Sequence, residues 1–292
     1  MRVGFIGLGN IGAPIARQLL RPEFELIVHD NHADALRPFE GTAARLTTSC
    51  AELARTSQVI GVCVRDDVDL LAVAYGDGSL SDSVEPGATV LVHSTVRPRT
   101  VRELGESLEL RGARVLDAAV MGGAHLAATS ELCAMVGGDA ADLTRVRPVL
   151  AAYCRRIIHA GPLGAGMVLE AARNLVTTLQ LVAANESDAL ARAGGLDPAL
   201  LLEVMTESGN LTDAMRRFLE YRATTDPSSP AERGHQELQD RMRRLGARDL
   251  GVALDIAREA GIELPGAAAA RPLMSGVFNA QSGNGEGGND AG

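Results

Sequence analysis

Three glycines at a fixed spacing, and one acid further on, carry the first chemical content of the chain. The glycines fall in Gly7-Leu8-Gly9-Asn10-Ile11-Gly12, directly after the apolar run Val3-Gly4-Phe5-Ile6, and the acid, Asp30, closes a second apolar run, Leu26-Ile27-Val28. Gly7 lets the chain turn sharply out of a strand, Gly9 leaves room for a phosphate group to approach the backbone, and Gly12 lets a helix pack closely on a sheet. The unpaired N–H groups and positive dipole end of a helix beginning near Asn10 then make a seat for an anion. Pro14 falls in that helix's first turn, where a missing N–H costs little. Strand, glycine turn, helix, strand and acid together describe a seat for the pyrophosphate of a dinucleotide. A carboxylate at Asp30 accepts hydrogen bonds from the ribose 2′-OH of NAD and repels the 2′-phosphate of NADP. The first arginine after it is Arg37, so NAD is expected over NADP. The alternative for Asp30 is to cap the following helix.

Such residues need a sheet to hold them. Strand-like runs at Gln58 to Val64, Thr89 to His93, Arg114 to Asp117, Leu132 to Val136 and Arg156 to His159 alternate with helix-like segments such as Arg99 to Leu110 and Ala140 to Ala151. The rhythm predicts a doubly wound α/β sheet with its ligand crevice at the strand C-termini. The strand ends of interest are Val64-Arg65-Asp66, His93-Ser94-Thr95 and Asp117 to Ala124, with Asp66 and Asp67 capping the next helix. From Gly164 to about Arg192 there is no proline, an apolar stripe recurs at helical spacing, and Gly194-Gly195 marks a stop. A helix of roughly thirty residues is about 45 Å long, too long for one small domain to cover, so it is expected to bridge two domains and meet a second subunit. Further helices are expected at Pro198 to Glu207, Thr212 to Tyr221, Glu232 to Arg244 and Arg248 to Ala260, with a Pro/Ser loop at Thr224 to Pro230. The expected organisation is a nucleotide domain over 1–163, an all-α domain over 164–280 that includes the long helix, and a disordered Gly/Asn-rich tail over 281–292.

Composition narrows the function classes. A net charge of −9 argues against a nucleic-acid partner, and no apolar run is long enough to span a bilayer. The N-terminus runs straight into the first strand, which predicts a cytoplasmic protein without a signal peptide. Cys50, Cys63, Cys133 and Cys154 are widely spaced and read as thiols, not as a metal site or a disulfide frame. All 28 basic residues are arginines and there is no lysine, so neither a Schiff base nor an ammonium acid is available.

Five ordered blocks carry a resemblance: GFIGLGNIGAPIARQLL, VHSTVRP, DAAVMGGAHLAATSELCAMVGG, GPLGAGMVLEAARN and RDLGVALDIAREAGIELP. Together they resemble the β-hydroxyacid dehydrogenase family, which includes 3-hydroxyisobutyrate and tartronate semialdehyde reductases and is related to imine reductases. The resemblance implies a Rossmann domain, a long interdomain helix, an all-α C-terminal domain, a small-molecule substrate and a domain-intertwined dimer. It also implies that Gly7, Leu8, Gly9, Asn10, Ile11, Gly12, Asp30 and Val64 hold the dinucleotide, with Ser94 and Thr95 near the nicotinamide. Gly122 and Gly123 would offer N–H groups to the substrate, Asn174 a side-chain amide, and Arg248 a positive charge where the family has a lysine.

Two departures from the family pattern matter. Met121 stands where a serine usually precedes the paired glycines, and Glu170 stands where the catalytic lysine is expected, four residues before Asn174 and so on the same helix face. An ionised glutamate cannot stabilise a developing alkoxide as a lysine does. It also repels a substrate carboxylate by about 4 kcal/mol at ~4 Å and an effective dielectric near ~20. The expected substrate is therefore neutral or cationic. In one reading the chain remains an NAD-dependent carbonyl or alcohol oxidoreductase, with Glu170 as general base, or as acid if Met121, Met167 and Leu169 desolvate it. In a second it is an imine reductase, the carboxylate stabilising a C=N⁺ centre. In a third it binds dinucleotide without hydride chemistry. His125, in the loop after the paired glycines, is the best histidine to supply a proton, while His93 is expected to be structural.

Overall fold

In the computed structural model, residues 1–224, 233–275 and 277 are described. Contacts divide the chain into one unit over Met1–Ala172 and a second over Arg173–Gly292. The expected loop at 224–230, from residue 225 on, and the expected tail lie outside the described residues.

The first unit is built on an eight-stranded sheet, β1 (Arg2–Ile6), β2 (Glu25–His29), β3 (Arg45–Thr47), β4 (Val59–Val62), β5 (Thr89–Val92), β6 (Arg114–Met121), β7 (Leu132–Gly137) and β8 (Cys154–Gly161), in the order β3-β2-β1-β4-β5-β6-β7-β8. The central strands VIGV and TVLV are buried at every position, as parallel strands covered on both faces must be. Their side chains alternate between two cores. Along β5, Val90 and Val92 enter a cluster with Ile60, Val62 and Leu104, and Leu91 enters the other, with Phe5, Ile15 and Tyr153.

Three features depart from the sequence reading. The short strand β3 was not expected. β7 runs antiparallel to β6, while β8 is parallel to β7. The link from Met121 to Leu132 holds only the short helix α6 (Gly123–Ala128), less chain than a parallel crossover needs. β6 also continues to Met121, so Asp117 lies within the strand and not at its end. The helices that cover the sheet are α1 (Gly12–Gln18), α2 (Cys50–Thr56), α3 (Asp67–Tyr75), α4 (Leu80–Ser83), α5 (Pro98–Glu109) and α7 (Ala140–Ala151).

The long helix α8 spans Ala165–Ala193, its first turns in the first unit and the remainder in the second. The second unit adds α9 (Pro198–Glu207), α10 (Asp213–Thr224), α11 (Arg233–Ala260) and α12 (Pro265–Leu273) around a core that includes Val182, Phe218, Leu219, Leu250 and Met274. The two helices expected within 232–260 are one. Gly246 lies inside it with the end of the Met274 side chain packed on it, Met274 Cε lying 2.4 Å from where a Cβ would be.

Candidate active site

At the glycine turn the sequence is dictated by space. Gly7 has φ +89°, and a Cβ on it would lie 2.3 Å from the Cys63 carbonyl oxygen. A Cβ on Gly12 would lie 1.9 Å from the Gly7 oxygen, so the first turn of α1 can approach β1 only with glycine there. At Gly9 a Cβ would meet nothing within 4 Å, the open side of the turn where a pyrophosphate fits. Asp30 at the end of β2 accepts from the Leu8 N–H through Oδ2 at 2.7 Å and from the His32 N–H through Oδ1 at 2.8 Å. The following 3₁₀ segment starts after His32 with no side-chain cap, so Asp30 pins the glycine turn instead of capping that segment. Each carboxylate oxygen retains a further lone pair for a ribose hydroxyl. Gly7, Leu8, Gly9, Asn10, Ile11, Gly12 and Asp30 thus fit a dinucleotide.

The next strand ends continue the same edge. Val64 donates its N–H to Ser94 Oγ at 2.8 Å, tying the segment after β4 to the segment after β5, and Ser94 is buried. Thr95, the next residue, donates its hydroxyl to Glu170 Oε1 at 2.8 Å. Glu170 is buried, and its charge adds to burial in pushing the Cys63 thiol up to about 12, which keeps that thiol protonated. Neither the Thr95 link nor the nearness of Cys63 was visible in the sequence.

The position of Glu170 is set by Asp117. This fully buried carboxylate accepts from the Gly164 N–H at 2.7 Å and the Met167 N–H at 2.8 Å, holding the first turn of α8 against β6. Burial raises its carboxyl above the usual range, opposed by those backbone N–H groups. Gly137 and Gly166 press so close that a Cβ on either would lie 2.3 Å and 2.8 Å from the Asp117 oxygens. A charged residue inside an apolar strand is the sequence signal for this clamp.

Other expected residues fall as follows. Met121 is 37% and Leu169 38% exposed, so of the three residues expected to desolvate Glu170 only Met167 is buried, in a core with Val92 and Met135. Gly122 and Gly123 have φ +136° and +68° and lead into α6, which carries His125 on an exposed helical position, not in a loop. His93 is buried, with Nδ1 2.8 Å from the Ala118 oxygen, Nε2 3.2 Å from Tyr153 Oη and its ring stacked on Phe5; burial lowers its pKa to about 4. Asp66 caps α3, whereas Asp67 accepts from Arg97 and Thr100 beyond β5. Within the second unit, the buried Asn174 accepts from Arg173 Nη1 at 2.8 Å, and Arg248 donates to Asp249 at 2.9 Å and 3.1 Å. Among the described residues no group of three or more His, Cys, Asp or Glu side chains could hold a metal, and no helix is long and apolar enough to cross a membrane.

Comparison with known proteins agrees with this geometry. Residues 2–161 match a profile described as the NAD binding domain of 6-phosphogluconate dehydrogenase, and residues 164–291 match the NAD-binding domain of NADP-dependent 3-hydroxyisobutyrate dehydrogenase. An uncharacterized oxidoreductase of Mycobacterium tuberculosis is 36% identical over 264 residues, 90% of this chain and 88% of that one. An NAD-dependent L-serine dehydrogenase of Pseudomonas aeruginosa is 31% identical over 264 residues, with the same coverage of 90% and 88%. The solved Mycobacterium tuberculosis 3-hydroxyisobutyrate dehydrogenase with L-serine superposes with a TM-score of 0.79 at 27% identity, covering 94% of this chain and 92% of that one. With its mostly parallel nucleotide-binding sheet, glycine turn and helical second unit, this chain belongs to the β-hydroxyacid dehydrogenase family of NAD(P)-dependent oxidoreductases.

Proposed function

We propose that the protein transfers hydride between NAD and an alcohol or carbonyl substrate that carries no net negative charge, with Glu170 as the group that handles the proton. The observation that carries this reading is the Thr95–Glu170 hydrogen bond, which aims a buried carboxylate from the start of α8 at the strand ends following β5. Bound nicotinamide supplies or accepts the hydride. Gly7, Gly9 and Gly12 leave the backbone open to the pyrophosphate, and Asp30 favours the ribose 2′-OH of NAD over the phosphate of NADP.

Thr95 fixes Glu170 in one orientation, and a carboxylate has about four lone-pair sites, so it accepts from Thr95 and from a substrate O–H at once. As hydride leaves the substrate carbon, Glu170 takes the hydroxyl proton; in the reverse direction it returns it. The family resemblance assigns to the substrate the N–H groups of Gly122 and Gly123, next to Met121 and His125 in the chain, and, in the second unit, the side chains of Asn174 and Arg248. An amino alcohol or a zwitterion such as L-serine, named in two relatives, fits a site whose reacting end is negative.

A second reading, imine reduction, is favoured by the same carboxylate, which stabilises a C=N⁺ centre as hydride arrives. The surface over the end of α8 and along α9 supports a homodimer. Leu190, Leu196, Leu200 and Val204 are 77%, 55%, 50% and 65% exposed, and α9 buries none of its residues.

The test is a nicotinamide-absorbance screen at two pH values with L-serine, 3-hydroxyisobutyrate, neutral alcohols and ketones, and 2-methyl-1-pyrroline. Turnover of neutral or zwitterionic alcohols is expected. Response to the cyclic imine alone establishes the second reading, and nucleotide binding with no turnover of any member leaves a dinucleotide-binding protein without hydride chemistry.

A further inference from the structure

Arg173 has no role in the chemistry described so far, yet its guanidinium touches the one amide proposed to meet the substrate. It donates from Nη1 to Asn174 Oδ1 at 2.8 Å, and among the described residues this is the only hydrogen bond of the Asn174 side chain. The two ends of an amide are told apart by their partners, and arginine offers only donors. The atom facing Arg173 must therefore be the oxygen. Asp249 on α11, a carboxylate with little exposure that accepts from Arg248, feels the positive charge of both Arg248 and Arg173.

We propose that Arg173 is a positioning residue that locks the Asn174 amide with its oxygen turned away and its NH2 presented to the substrate. The inference rests on the reading above that Asn174 faces the substrate, and it sharpens the substrate class. Glu170 and Asn174 are separated by about 6 Å along the axis of α8. The first offers an acceptor and the second a donor. The matching molecule carries a donor, O–H or N–H, at its reacting carbon and an acceptor oxygen further along. A hydroxyl, ester, amide or carboxylate oxygen meets the second requirement.

The test needs no substrate. In the full-length chain with NADH bound and asparagine labelled with ¹⁵N, the side-chain NH2 pair of Asn174 is identified by its loss in Asn174→Asp. In the wild type that pair exchanges with water rapidly. Arg173→Lys, which still offers only donors, leaves its shifts and exchange unchanged. Arg173→Glu draws the NH2 onto the new carboxylate and slows exchange about tenfold or more. An exchange rate indifferent to Arg173→Glu, or altered as much by Arg173→Lys, would overturn the proposed orientation. Asn174→Asp keeps a partner for Arg173 but loses the donor. If the orientation holds while Asn174→Asp oxidises L-serine or reduces 2-methyl-1-pyrroline at the wild-type rate, the orientation stands and the donor role at the substrate is overturned.

Discussion

The glycine turn and the start of the long helix lie in one folded unit, but they depend on their residues in different ways. At the turn the proposed recognition is by backbone: Gly7 and Gly12 are required because carbonyl oxygens lie where their side chains would be, and Gly9 leaves open the side proposed to seat the pyrophosphate. At the start of α8 the backbone is equally well fixed, by Asp117, but the chemistry proposed above sits at the tip of one side chain, Glu170. A substitution at the first place destroys the seat. At the second, in the proposed function, it changes what the seat does, and Glu170 in place of the family's lysine is such a change.

Glu170→Gln breaks the comparison hardest. An amide oxygen still accepts from Thr95 but takes no proton, so turnover is expected to fall by about 10² to 10⁴ while calorimetry shows unchanged NADH binding. Unchanged turnover would place the proton chemistry elsewhere. Gly9→Val attacks the other region. Nothing in the protein opposes the new side chain, so the melting temperature is expected to hold while NADH affinity drops at least about 100-fold. Loss of the fold itself would show that the open side is not a ligand seat.

His93 underlies both regions, stacked on Phe5 of β1 and bonded to Ala118 of β6. Its pKa in the fold is about 4 against an ordinary 6.5, so the folded state favours the neutral ring. The resulting stability is fully present above pH ~6.5 and is lost as pH falls towards ~4, on the order of 3 kcal/mol in total. Urea unfolding at the two pH values measures it, and in His93→Gln this part of the acid loss should vanish. The smallest expected effect is that of Asp30→Ala, about tenfold weaker NADH binding with a lesser change for NADPH. Equal losses would mean that Asp30 acts only by pinning Leu8.

The sequence exposes what repeats with a period or obeys a steric rule. The strand-like apolar runs of the sheet, the fingerprint glycines and the uninterrupted stripe of α8 are legible for that reason. The antiparallel turn of β7 is not, because it depends on how little chain lies between Met121 and Leu132. The continuity of α11 is hidden because Gly246 reads as a break until Met274 is seen packed on it. The Thr95–Glu170 bond joins residues far apart in the chain, and no local pattern announces it. Asp117 was readable as an acid in an apolar run, but its partners at the start of α8 emerge only from the fold.

The central claim is that the charge of residue 170 selects the substrate. It is tested most directly by the rates of NAD reduction with L-serine methyl ester, a cation, and with 3-hydroxyisobutyrate, an anion, in the wild type and in Glu170→Lys. The account predicts that the wild type prefers the ester and that Glu170→Lys reverses the preference in favour of the anion. The same preference in both proteins would contradict it.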